Sequence, residues 1–154
     1  MDVMATIDWC KKQKNGIKII DPSDNLADEY IGAAEESLDT LKAITKKSRV
    51  WQATTKYYCE YFACYALLMK LGIKSEIHEC TIAVCKKLEK EKILPDGYAK
   101  ILESDKQLRI DNQYYLRNKE VHIELTELTD FILQIKEIIT KINDEDVERI
   151  RRLL

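Results

Sequence analysis

The chain has 154 residues, 45% of them hydrophobic, with a formal net charge of −2. That length predicts one domain, 1–154, large enough to bury a core, and the apolar content excludes a disordered chain. The charge excludes a uniformly basic nucleic-acid coat, though not local patches. Four glycines and two prolines are too few for the turns of an all-β protein.

The opening MDVMATIDWCKKQKN has no continuous apolar stretch of the kind an export signal carries. The longest apolar run, Tyr61 to Met69, is far short of the ~20 residues of a membrane span. A soluble, cytoplasmic protein is expected. The five cysteines are odd in number, and without an export signal they are expected to be reduced. Cys59/Cys64 and Cys80/Cys85 do not suit a metal. A helical spacing of five turns the side chains about 140° apart, and zinc pairs are usually closer in sequence. They are read as small core residues, with no metal site and no cofactor expected.

Residues 3–13 read as a short helix stopped by Asn15-Gly16. Asp21 suits an N-cap and Pro22 the first helical position. The following apolar residues, Leu26, Tyr30, Ala33/Ala34, Leu38, Leu41 and Ile44, have helical spacing. The segment 51–71 is apolar nearly all round, which marks a central helix, and Gly72 suits its C-terminal cap. Ser75 is a candidate cap for a helix over 76–91. Pro95-Asp96-Gly97 is a turn. Further helices are predicted over 98–116 and 124–142, and a short one starts at Asn143 or Asp144. In it acidic residues lead and Arg149, Arg151 and Arg152 follow, as the helix dipole prefers. No segment alternates as a strand does. The expected fold is all-α, an up-and-down antiparallel bundle of about five main helices.

On a helical wheel of 98–116, Tyr98, Ile101, Leu102, Leu108, Tyr115 and Leu116 share one sector. Asp105, Arg109, Asn112 and Gln113 fall in the same sector, although such groups are costly to bury unpaired. Asp105 and Arg109 are spaced as an i,i+4 ion pair. The cluster either bridges helices or lines a cleft, where a guanidinium suits phosphate. Arg117 and His122 form an R-x4-H spacing in the polar stretch that follows. That stretch is either a solvated loop or a catalytic pair, the arginine on phosphate and the imidazole moving a proton. His78, at the start of a helix, is read as structural. Tyr57, Tyr58, Tyr61, Phe62 and Tyr65 are read as core rather than as a base-stacking platform. The basic runs Lys46/Lys47/Arg49 and Lys86/Lys87/Lys90 are read as solvated faces.

Three stretches together, GIKIIDPSDNLADEYIGAAEESL, YYCEYFACYALLMKLGIKSEIHECTIAVC and RIDNQYY, resemble an archaeal branch of the HEPN domain (higher eukaryotes and prokaryotes nucleotide-binding). The resemblance runs from about Gly16 to Ile142. It implies a helical bundle that dimerises through its motif-bearing face, often beside a nucleotidyltransferase antitoxin. Active members carry R-x4-6-H and cut RNA without a metal, the 2′-hydroxyl attacking the adjacent phosphate. By spacing, Arg117 and His122 fit that motif, with Arg109 and Asn118 as helpers. By position, Arg109 is the better counterpart, and Gln113 or Tyr114 then replaces the histidine. Glutamine cannot exchange protons near neutrality, and tyrosine does so only with a strongly lowered pKa. Two functions are therefore expected as alternatives. One is a dimeric module binding a nucleotide, RNA or a nucleotidyltransferase partner through Asp105, Arg109, Asn112 and Gln113. The other is a metal-independent endoribonuclease.

Overall fold

The computed structural model describes residues 5–154. Its elements in chain order are α1 (Ile7–Lys12), β1 (Lys18–Ile19), α2 (Asp24–Ala43), α3 (Arg49–Leu71), β2 (Ile73–Lys74), α4 (His78–Lys90), α5 (Tyr98–Gln113), α6 (Leu125–Lys141) and α7 (Asp144–Arg152). The fold is an all-α helical bundle, as the periodicity predicts. No helix among the described residues is long and apolar enough to cross a membrane.

α3 is the axis. Tyr57, Cys59, Ala63, Cys64, Leu67, Leu68 and Leu71 are fully covered, because α2, α5, α6 and α7 all pack against it. Each large aliphatic side chain so buried contributes about 1.5–3 kcal/mol. Ser48 caps its start, accepting from the Trp51 N–H at 3.4 Å. Gly72 ends it in the left-handed region, φ 73°, as expected.

Arg151 of α7 reaches back to that end. Its Nη1 donates to the carbonyls of Ile20 (2.6 Å), Leu71 (3.1 Å) and Gly72 (2.9 Å). A cation there satisfies acceptors that a helix C-terminus leaves open. Beside it lies an antiparallel ladder, Lys18 opposite Lys74 and Ile19 opposite Ile73. Strands of two residues are too short to alternate visibly in the sequence.

Several boundaries differ from expectation for tertiary reasons. The first helix spans only Ile7–Lys12 and is capped by Thr6; residues 3 and 4 of the expected span lie outside the described residues. α2 is capped by Ser23, not Asp21. The Ser23 N–H is bonded to the Met69 carbonyl at 3.0 Å, which ties the preceding chain to α3 before the helix begins. α4 starts at His78 with no side-chain cap. Ser75 instead donates its hydroxyl to the Ile77 carbonyl, and its N–H is held by the Tyr65 hydroxyl. α5 stops at Gln113 rather than 116. Leu116 and Asn118 have φ of 48° and 52°, and these left-handed residues turn the chain back. Tyr115 and Leu116, placed by the wheel with the core, are 64% and 73% exposed.

Cys10 of α1 and Cys80 in the first turn of α4 form a disulfide with Cα atoms 5.7 Å apart. This corrects the expectation that all five thiols are reduced. The partners lie 70 residues apart, and a cysteine count cannot reveal such a pairing. Cys59, Cys64 and Cys85 are free and buried, as core residues should be. Burial pushes the Cys59 thiol up to about 12, so it is inert as a nucleophile. Replacing Cys10 and Cys80 together by alanine is expected to lower unfolding free energy by about 2–4 kcal/mol. Urea unfolding of the variant, and of wild type in dithiothreitol, should show matching losses.

Candidate functional site

Trp51, Tyr58 and Phe62 recur at i, i+7 and i+11 and therefore share one side of α3. Trp51 is 61% exposed, while Tyr58 and Phe62 are half-buried. The rings follow one another: Tyr58 to Phe62 is 5.2 Å between centroids, and Phe62 to Tyr30 of α2 is 6.1 Å. Tyr57 and Tyr61 are buried behind them.

Arg109 of α5 lies on this strip. Its Cζ is 5.0 Å from the Tyr57 centroid and 5.7 Å from that of Tyr58. Its Nη1 donates to the Tyr58 hydroxyl at 3.2 Å, and its Nε is buried without a partner. Among the described residues no carboxylate pairs with it: Asp105, expected to, bonds Lys56 instead. The half-buried guanidinium thus lies against two rings set 68° to one another and keeps donors that no described residue takes up, chemistry that suits an anion.

His78, the first residue of α4, converges on the same tyrosines. Its ring stacks on Tyr61, 4.3 Å between centroids at 12°, and its Nδ1 is 2.7 Å from the Tyr57 hydroxyl. Burial, and then the charge of Arg109, hold its pKa down at about 4, so the imidazole is neutral near pH 7. Burial also raises the Tyr57 and Tyr61 hydroxyls above their ordinary value; both stay protonated. His78 packs among these tyrosines as a structural residue would, and Arg109 is near enough for its charge to act on the ring. No spacing motif links the two residues; the signal available was the run of tyrosines on the helix between them.

The depressed pKa has a defined consequence. Above the ordinary histidine pKa of 6.5 both folded and unfolded chains hold a neutral ring. As pH falls from there toward 4, only the unfolded chain takes up the proton, and stability is lost. Thermal melts of wild type and His78→Gln across that window should converge as pH falls, because the variant lacks this term. A pH dependence identical in both proteins would contradict the assignment.

Asp105 faces a different side of α3. Its Oδ1 lies 3.3 Å from the Lys56 ammonium. Glu60, one turn after Lys56, is 1% exposed. Burial first, then the adjacent Asp105, raise the Glu60 carboxyl well above the usual carboxylate range, which favours its neutral form. Glu60 and Asp105 border a cavity of about 480 Å³ between α3, α5 and α6, with His122 on its wall.

The remaining expected residues separate. Asn112 is fully buried and fastens the loop after α5. It accepts from the Lys119 N–H at 2.7 Å and donates to the Lys119 carbonyl at 3.0 Å. Gln113 is exposed. Asp111, held below the usual carboxylate range by hydrogen bonds from Lys119 and Gln107, pairs with Arg117 at 3.4 Å. Arg117 also lies 5.2 Å from the Tyr115 centroid. Asn118 is held through its carbonyl, which accepts from Arg49 at 2.7 Å. Arg117 and His122 thus sit in a loop, and their R-x4-H spacing does not place them on one helix. Lys86 and Lys87 are paired with Glu103 and Glu91, as a solvated face would be.

No family model and no curated protein matches this chain.

Proposed function

We propose that the chain is a HEPN-like helical module that binds the phosphate of a nucleotide or RNA on Arg109 without cutting it, and acts as a homodimer. What supports this reading is the guanidinium itself: partly buried, set over the Tyr57 and Tyr58 rings, and without a carboxylate partner among the described residues. Trp51 extends the same strip into solvent, where a base or a second copy of the chain would stack on it. A nucleotidyltransferase in a toxin–antitoxin-like system is the partner protein that the family resemblance adds.

The ribonuclease alternative needs Arg117 and His122 to act as one pair. Arg117 is engaged with Asp111 and Tyr115, whereas His122 lies on the wall of the α3–α5–α6 cavity. Binding is therefore favoured over cleavage.

The test is a labelled single-stranded RNA incubated with the protein in EDTA, read by anisotropy for binding and by gel for integrity. The proposal expects binding, intact RNA, and no change in either with Arg117→Ala or His122→Ala. RNA that is cut by wild type and spared by His122→Ala would replace this reading with the ribonuclease.

A further inference from the structure

The basic run Lys46, Lys47 and Arg49 differs from the paired lysines of α4. Among the described residues no carboxylate lies within ion-pair distance of any of the three. Lys46 and Lys47 are exposed, and Arg49 donates only to the Asn118 carbonyl. Gln52 ties their loop down, donating its side-chain amide to the carbonyls of Ile44, Thr45 and Lys47 at 3.3, 3.0 and 2.8 Å. This fixed group of cations immediately precedes Trp51, whose ring is 61% exposed.

Between Trp51 and Tyr58 the same side of α3 carries Thr54 and Thr55. Both are half-buried, and Thr54 turns its hydroxyl back to the Val50 carbonyl at 2.8 Å. Short side chains between two larger rings make this side of the helix a trough rather than a ridge. Seven residues at about 1.5 Å each give it a length of about 10 Å. Arg109, bonded to the Tyr58 hydroxyl, stands at one end, and Trp51 with the unpaired cations at the other.

Three kinds of occupant are to be weighed. A second copy docking about a two-fold axis sets the patch on itself. Lys46, Lys47 and Arg49 would then face their own counterparts with no carboxylate between, a costly juxtaposition. An acidic protein segment would answer the charge, but a floor of two threonines gives it no apolar pocket for a buried anchor. A single nucleic-acid strand supplies both a flat base for the indole and phosphates for cations at either end. From this geometry we infer that the Arg109 site extends to Trp51 and takes a single-stranded oligonucleotide of at least two nucleotides. One phosphate lies on Arg109, the base of the neighbouring nucleotide on the Trp51 indole, and a flanking phosphate among Lys46, Lys47 and Arg49. The inference rests on the phosphate reading of Arg109 and adds the class of ligand. A free nucleotide occupies one end of the trough, and a duplex keeps its bases from the indole.

Trp9→Phe leaves Trp51 as the sole indole of the two in the chain, so its fluorescence reports stacking directly. The probes are 5′-phosphorylated oligoadenylates of one, two and four nucleotides and a blunt RNA duplex, all in EDTA. Two and four nucleotides should quench Trp51 and bind about tenfold or more tightly than one, the worth of a stacked base. The duplex should not quench. Trp51→Leu, at an exposed position, should bring the four-nucleotide affinity, read by anisotropy, down to that of the mononucleotide. Equal affinity for one and four nucleotides, both lost in Arg109→Ala, would overturn the inference and leave the phosphate reading standing. Affinities unchanged in Arg109→Ala would overturn both. Competition by polyglutamate as strong as by the four-nucleotide strand would replace the strand with an acidic protein. Weakened self-association of Trp51→Leu in sedimentation, with oligonucleotide affinity unchanged, would replace it with a second copy.

Discussion

Gly72→Ala is expected to cost about 3–5 kcal/mol, near the upper end for a single substitution. The residue has φ +73°, a conformation that disfavours any Cβ. Strain is the smaller part. A Cβ here would run into the Ile20 carbonyl oxygen and stand 2.9 Å from the Pro22 nitrogen. Both are backbone atoms beside a ladder and cannot step aside singly. The same Cβ would also strike Arg151 Nη1, the atom that holds three carbonyls at this corner. One added methyl therefore breaks the junction of α3, α7 and the β1 connection together. Gly97 supplies the control. It also has a positive φ, 97°, but nothing lies within 4 Å of its Cβ position. Gly97→Ala should show strain alone, about 1 kcal/mol. Urea unfolding of the two variants measures the difference, and equal costs would contradict the steric account.

Arg109→Ala is expected to remove RNA or nucleotide binding by a factor of about ten or more, since charge-assisted bonds to phosphate contribute about 1.5–3 kcal/mol each. Stability should move in the opposite sense from a structural ion pair, staying level or rising. The guanidinium is half-buried with one hydrogen bond and an unpartnered Nε, and a poorly compensated charge contributes little to folding. Arg109→Lys keeps the charge but loses the planar fork, and should recover only part of the binding. Loss of stability together with intact binding would show that Arg109 is a packing residue.

The sequence carried most of the architecture and less of the site. The axis helix was legible because its apolar residues run all round, and Gly72 because a helix end needs the left-handed region. Ser23, Ser75 and the end of α5 were misjudged by two or three residues. In each case a contact from elsewhere decides the boundary: Met69, Tyr65 and the Asn112–Lys119 clamp. Of the polar groups on the inward sector, Asp105 and Asn112 are buried and Arg109 half-buried, while Gln113 is exposed. Their grouping failed, because a sector about one helix meets different neighbours at successive turns. Asp105 meets Lys56, Arg109 meets Tyr58, and Asn112 meets the loop. The disulfide and the Tyr57–His78 hydrogen bond are long-range pairings that no local spacing records.

The most direct measurement of the central claim is the titration of His78 by NMR, alone and with a saturating nucleoside monophosphate. In the free protein the pKa should be near 4, held down by burial and by the charge of Arg109. A phosphate on Arg109 offsets that charge, so the account predicts a rise of about one unit, absent in Arg109→Gln. A His78 pKa that does not move when nucleotide binds, or that moves equally in Arg109→Gln, would contradict it.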